Sequence, residues 1–225
     1  MPRASRAGAR PTLAEVRAAY NESHGHSLLR DSDRFYAWIA RRVLRRAPAD
    51  ARILDVGCGG GYLLREIARL SSRARLHGLE LSDVALAEAR LQAASAHLVL
   101  ARAERLPYAD RAFEAVVCLG NLEHFLDMDL AARELARVCR PGGSVWVLLP
   151  NGFYSGAIWK VITTGYGPDH HQIIDRFATV EEWRDLLQAN HLRVESVVPY
   201  NRFKWWKRLL PRNLAWHFLY VARPE

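Results

Sequence analysis

Between Ala51 and Pro150 the sequence alternates, with little spacer, between short apolar runs and amphipathic ones, and this rhythm constrains the fold more than any other feature. ARILDVG reads as a buried strand and leads through glycines into the helix YLLREIARL. ARLHGLEL is a second strand, followed by the helix DVALAEARLQAA with Ser82 placed to cap it. HLVLA and EAVVCLG are third and fourth strands. DLAARELARVC is a helix stopped by Pro141-Gly142-Gly143, and SVWVLLP is a fifth strand. Apolar strands separated by helices call for a parallel sheet covered on both faces.

The flanks complete the pattern. From Asp31 to Ala47, Phe35, Trp38, Ile39 and Val43 recur at helical spacing, with Arg41, Arg42, Arg45 and Arg46 outside the stripe, and Pro48 ends the run. Residues 151–178 read as irregular. VEEWRDLLQAN is helical, and LRVESVV and WHFLYVA are two more strands. About 17 residues separate these last two, which is short for a parallel crossover, so an antiparallel pair is expected. The expectation is an α/β, Rossmann-like, seven-stranded and mostly parallel sheet with helices on both faces and an antiparallel C-terminal strand pair.

The 225 residues carry a formal net charge of +8, which raises nucleic acid as a partner. Its distribution argues otherwise. Residues 1–50 hold 10 basic and 5 acidic side chains and residues 193–225 hold 7 and 2, whereas residues 51–192 hold 15 and 17. The basic character belongs to the ends, and 29 of the 32 basic residues are Arg. No stretch reaches the roughly 18 apolar residues of a membrane span, and MPRASRAGAR leads into no apolar stretch of a secretory signal. Cys58, Cys118 and Cys139 are too few and too scattered for a disulfide framework or a zinc site. A cytoplasmic protein without a metal is expected.

In an open parallel sheet, ligands bind beyond the carboxyl ends of the strands where the strand order reverses. Asp55-Val56-Gly57-Cys58-Gly59-Gly60-Gly61 lies at such an end. Glu80 closes the second strand, where a carboxylate can accept ribose hydroxyls. Ala103-Glu104 and Leu119 to Asn121 follow strands three and four onto the same crevice. A nucleoside cofactor is therefore expected. A dinucleotide fingerprint read from Gly57 would need a small residue where Tyr62 stands, which disfavours a nicotinamide dehydrogenase.

The run D-x-G-x-G-x-G from Asp55 instead resembles motif I of the class I S-adenosylmethionine-dependent methyltransferases. Glu80, AERLPYADRAFEAVV, NLEHF and RPGGSVWVLLPN resemble that family's later motifs in order, over roughly residues 51–150, and the small-molecule, ubiquinone-biosynthesis-type branch looks most similar. The resemblance implies S-adenosyl-L-methionine as cofactor, bound by Tyr20, Asp55, Gly57, Cys58, Gly59, Gly61, Glu80, Leu81, Ala103, Glu104 and Leu119. It implies residues 1–50 as an N-terminal arm and helical lid, and residues 51–225 as the methyltransferase domain, with 151–178 as a substrate-covering insertion. One departure is Arg102, where relatives commonly place an Asp to accept the adenine amino group. Arg accepts no hydrogen bond, which leaves that contact to Glu104 or backbone.

Methyl transfer from a sulfonium needs alignment of the reactants, and a base where the nucleophile is a hydroxyl or ammonium. His124, His170 and His171 are the candidate bases, each weighed against a role in holding its loop. The expected acceptor is a small molecule with an O or N nucleophile. Phe153, Tyr154, Ile158, Trp159, Val161 and Ile162 suggest an apolar one. FKWWKRLL at 203–210 divides its wheel between aromatic and basic halves, which offers a peripheral membrane contact or packing on the protein's own fold. An RNA methyltransferase is the rival suggested by the basic ends. It is opposed by Gly120-Asn121-Leu122-Glu123, where an Asn/Asp-Pro-Pro-Tyr/Phe motif would stand. A cofactor-binding protein without turnover is the rival suggested by Arg102.

Overall fold

The computed structural model describes residues 10–25, 32–167, 172–202 and 211–225. His170, His171 and the 203–210 segment lie outside the described residues. Seven strands form one sheet: β1 (Arg52–Val56), β2 (Arg75–Glu80), β3 (His97–Leu100), β4 (Phe113–Leu119), β5 (Cys139–Pro150), β6 (Leu192–Tyr200) and β7 (His217–Pro224). Their order is β3-β2-β1-β4-β5-β7-β6. The first five pair in parallel, and β7 lies antiparallel between β5 and β6. The order reverses between β1 and β4, so a crevice opens beyond their carboxyl ends.

Helices α2 (Asp33–Arg46), α3 (Tyr62–Leu70) and α4 (Asp83–Gln92) cover one face; α5 (Met128–Val138) and α7 (Val180–Ala189) cover the other. Local chemistry sets their ends. The Ser32 hydroxyl accepts from the Phe35 amide at the start of α2, and Thr179 and Glu182 form a reciprocal capping box on α7. Ile39, Val43, Leu64 and Ile67 pack with Ile53 and Val117 in one core, and Leu135, Val147, Leu187 and Phe218 in the other, all fully buried. Burying each such side chain contributes about 1.5–3 kcal/mol.

Two elements depart from expectation. Residues 151–178 are not irregular throughout, because Ser155–Thr164 forms α6. Its periodicity is hidden: SGAIWKVITT is apolar nearly all round, rich in β-branched residues, and has no side-chain cap at Tyr154. Ahead of α2, Leu13–Gly25 forms α1. The fifth strand also starts at Cys139, so the Pro-Gly-Gly that stops α5 is itself in β5.

Candidate functional site

The chain leaves β1 through a turn that only glycine takes without strain. Gly57, Gly59 and Gly61 have φ of 73°, 51° and 79°. The amides of Gly57 and Cys58 both donate to the Leu79 carbonyl, at 2.8 and 3.0 Å, bending the loop over β2. A Cβ on Gly57 would lie 2.6 Å from the Asn121 side chain, and one on Gly61 would lie 3.1 Å from Ala89 of α4. Gly61 thus supplies the close packing that a dinucleotide fingerprint seeks at Tyr62. Tyr62 instead packs on Tyr36 and donates its hydroxyl to Glu88. α3 begins at Gly61 without a side-chain cap. Its first amides form the positive end of the helix dipole.

Two buried carboxylates face this loop. Glu80 accepts the Gly59 amide at 2.9 Å on one oxygen and the Leu81 and Ser82 amides, each at 2.8 Å, on the other. Three of its roughly four acceptor positions are filled, and one remains for a ligand hydroxyl. Asp55 is 3% exposed and accepts no hydrogen bond from any described residue. Burial, and then the nearby Glu80, push its pKa up to about 7. A buried carboxylate in this condition is short of a cation or donor, and it lines the crevice.

Across the crevice, Ala103 is buried and the Arg102 side chain is exposed. One oxygen of Glu104 accepts the Leu126 and Asp127 amides at 2.9 and 3.4 Å, tying the segment after β3 to the loop after β4. Asn121 closes the arrangement. Its amide nitrogen donates to the carbonyls of Gly57 and Leu119, each at 3.0 Å, and so clamps the two strand ends on either side of the reversal.

At the mouth, α1 brings Leu13, Val16 and Tyr20 over the opening. Burial, followed by Glu123, Glu80, Asp175 and Glu104, raises the Tyr20 phenol well above its ordinary value, so it stays protonated. His124, 7% exposed, is held on both ring nitrogens. Nδ1 lies 2.6 Å from the Ile174 carbonyl and 3.1 Å from Asp175, and Nε2 lies 3.0 Å from the Gln172 amide nitrogen. Burial opposes charge on the ring, but Glu123, Asp175 and the Ile174 carbonyl outweigh it and hold the pKa above 6.5. Glu123 Oε2 and Gln172 Oε1 are buried without a partner among the described residues. Arg176 donates to the carbonyls of Glu123 and Phe125, at 3.1 and 2.7 Å, and fastens the 172–178 segment over the loop after β4.

The crevice has a volume of about 1200 Å³, counting the space at its mouth. Among the residues expected from sequence, Tyr20, Asp55, Gly57, Cys58, Gly59, Glu80, Leu81, Ala103, Glu104, Leu119 and His124 all line it, while Gly61 sits behind at the start of α3. Asn121 was placed on the crevice without a role, and Gln172 and Asp175 were missed. Asn121 stood in a motif already singled out, but Asp175 lies 51 residues from His124 and nothing local marks it. Asp55 without a partner, Glu80 with one open acceptor position and the glycine turn together suit a nucleoside ligand that carries positive charge.

Comparison with known proteins agrees with this chemistry. Residues 54–147 match the family described as "Methyltransferase domain". A "Ubiquinone biosynthesis O-methyltransferase" from Xanthomonas oryzae is 29% identical over 198 residues, covering 78% of this chain and 77% of the relative. A "Demethylmenaquinone methyltransferase" from Chlorobaculum tepidum is 29% identical over 149 residues, covering 65% and 61%. The solved structure of an S-adenosylmethionine-dependent methyltransferase from Thermotoga maritima shares the fold, with a TM-score of 0.65 at 18% identity over 86% of this chain and 91% of that one. With motif order, sheet topology and crevice in accord, the chain carries a methyltransferase domain over residues 54–147 and is similar to S-adenosylmethionine-dependent methyltransferases.

Proposed function

We propose that the enzyme methylates a hydroxyl oxygen of a small apolar molecule, with His124 as the base. The observation that carries this reading is the orientation of His124. Nδ1–H is directed to the Ile174 carbonyl and Asp175, so Nε2 is the accepting nitrogen of a crevice-lining residue; it accepts from the Gln172 amide here, and an acceptor hydroxyl would take that amide's place. Bound S-adenosylmethionine supplies an electrophilic methyl group on its sulfonium. Asp55 and Glu80 would hold the cofactor's ammonium and ribose, and the turn from Gly57 to Gly61 would give it room. His124 would take the proton of the acceptor's hydroxyl as that oxygen is methylated. Asp175 steadies the imidazolium that results. Residues 51–225 act as the catalytic domain, with α1 of the N-terminal arm as its lid, α2 packed on its sheet, and residues 151–178 as the substrate-covering insertion. The relative from Xanthomonas oryzae, named for O-methylation, favours oxygen over nitrogen.

The test is methyl transfer from S-adenosylmethionine to a panel of phenols with and without alkyl tails, read as the mass of the product. His124→Gln is expected to lower kcat about 10²–10⁴-fold, with binding of S-adenosylhomocysteine unchanged. An unchanged kcat would remove His124 as the base.

The apolar character of the acceptor rests on α6 and its surroundings. Trp159 is 68% exposed, Ile162 and Tyr166 are each 72% exposed, and Phe153, at 59%, lies just before the helix. These follow the carboxyl end of β5, the same end of the sheet as the crevice. Lys160 is the one charged residue from Asn151 to Tyr166. No described helix is long and apolar enough to cross a membrane. A peripheral contact through this surface and the 203–210 segment would deliver a lipid-linked acceptor. Sedimentation with anionic liposomes, lost in Trp159→Ala/Ile162→Ala, tests that contact.

A further inference from the structure

α1 turns two neighbouring stripes toward the rest of the molecule. Leu13, Val16 and Tyr20, three and four residues apart, line the crevice. Arg17 and Asn21, four apart on the adjoining stripe, meet the first turn of α4. Asn21 uses both ends of its amide there. Nδ2 donates to Asp83 Oδ1 at 2.8 Å, and Oδ1 accepts from the Ser82 hydroxyl at 2.6 Å. Arg17 donates Nε and Nη2 to the same Asp83 oxygen at 3.2 and 3.0 Å. Ser82 is fully buried, and its hydroxyl also accepts the Ala85 amide at 3.1 Å. Its own amide donates to Glu80, whose other oxygen accepts the Gly59 amide. One chain of hydrogen bonds therefore runs from α1 through Ser82 and Glu80 to the glycine turn.

We infer that Asn21 is a positioning residue for the cofactor: it latches α1 over the crevice through Ser82 and Asp83, so that closure of α1 and ligand binding at Glu80 are coupled. A nucleoside held by Glu80 lies beneath Val16 and Tyr20, and α1 covers its way out. Lifting α1 breaks both bonds of Asn21 and both of Arg17. Ser82 belongs to both systems, since its amide sits on the Glu80 carboxylate and its hydroxyl sits on the Asn21 carbonyl oxygen. A ligand that fixes Glu80 fixes the hydroxyl that α1 grips, and by linkage a closed α1 favours the ligand to the same extent. The chemistry requires an amide of this length. Asp in its place has no donor for Asp83 and sets a second carboxylate beside it, and Gln is one methylene too long. The inference rests on Glu80 as the ribose-binding group and on nothing about the acceptor or the base.

The test uses the full chain, with S-adenosylhomocysteine as the ligand, followed by calorimetry and amide hydrogen exchange. In the wild type, the ligand is expected to slow exchange across residues 13–25. Asn21→Asp is expected to lose most of that protection, to bind about 10-fold more weakly through faster dissociation, and to melt without ligand at the wild-type temperature. The pair Asn21→Asp with Asp83→Asn reverses donor and acceptor and moves the carboxylate to position 21, four residues from Arg17 on the same helix; it is expected to restore both protection and affinity, which a merely structural role for Asn21 would not require. Unchanged affinity in Asn21→Asp, or wild-type α1 exchange indifferent to bound ligand, overturns the inference alone. Failure of the wild type to bind the ligand overturns the cofactor site and the inference with it.

Discussion

The side-chain amide of Asn121 donates to the carbonyl of Gly57 at 3.0 Å, and its Cγ lies 2.6 Å from where a Gly57 Cβ would stand. The loops after β1 and β4 are thereby held at a separation that excludes any side chain at 57. Gly57→Ala meets two costs: a left-handed φ of 73°, which costs an L-residue about 1–2 kcal/mol, and the overlap with Asn121. It is expected to destabilise the fold by about 2–4 kcal/mol and to weaken S-adenosylhomocysteine at least 10-fold. In an Asn121→Ala background the overlap is gone and the φ cost remains, so a double-mutant cycle in urea should show favourable coupling between the two changes.

The proposed pairing of Asp55 with the ligand's ammonium gives a pH test. With its pKa at about 7, the carboxyl is largely protonated below neutrality. An ammonium needs the carboxylate, so affinity for S-adenosylhomocysteine, which carries that ammonium, should rise from pH 6 to pH 8 in the wild type. Asp55→Asn should bind weakly at every pH. Calorimetry across that range reads both.

The same group gives a stability prediction of opposite sense. A carboxyl whose folded pKa is raised adds stability below its unfolded value of 3.8, and that contribution is lost as pH rises toward 7. Asp55→Asn removes the cost of a buried charge. Without ligand it should therefore be more stable than the wild type at pH 8, by on the order of 3 kcal/mol, with the difference shrinking toward pH 4. Thermal melts at the two pH values check this.

If His124 is the base, as proposed, it and Asp175 set the pH dependence of turnover. Glu123, Asp175 and the Ile174 carbonyl hold the imidazole pKa above 6.5 against its burial. The base form is then scarce at low pH, so kcat should rise with pH and level off above that pKa. Asp175→Asn withdraws one carboxylate. The rise should move to lower pH by about one unit, and the plateau should fall about 10-fold as the ring loses its support.

The capping box of α7 offers a stability test remote from the crevice. The Thr179 hydroxyl accepts the Glu182 amide at 3.3 Å, and the Glu182 carboxylate accepts the Thr179 amide at 2.7 Å. Thr179→Ala should cost about 1 kcal/mol in urea, with cofactor affinity unchanged.

What the sequence determined by itself is the part of the molecule governed by short-range rules. Apolar strands and amphipathic helices at 51–150 set the parallel sheet, and DVGCGGG and Glu80 marked the crevice end of it, because turn geometry and hydrophobic period depend on neighbours a few residues away. α6 escaped because its helix is apolar nearly all round, and period is invisible where there is no polar face. The tertiary structure alone decided which distant groups share a site. Asp175 comes to His124 from 51 residues away, Asn21 to Ser82 from 61, and Asn121 to Gly57 from 64. Each contact is made by the packing of whole elements, the order reversal between β1 and β4 above all, and packing leaves no local trace in the residues it joins. The unsatisfied state of Asp55 belongs to the same class: its identity is written in the chain, but the burial that moves its proton exists only in the fold.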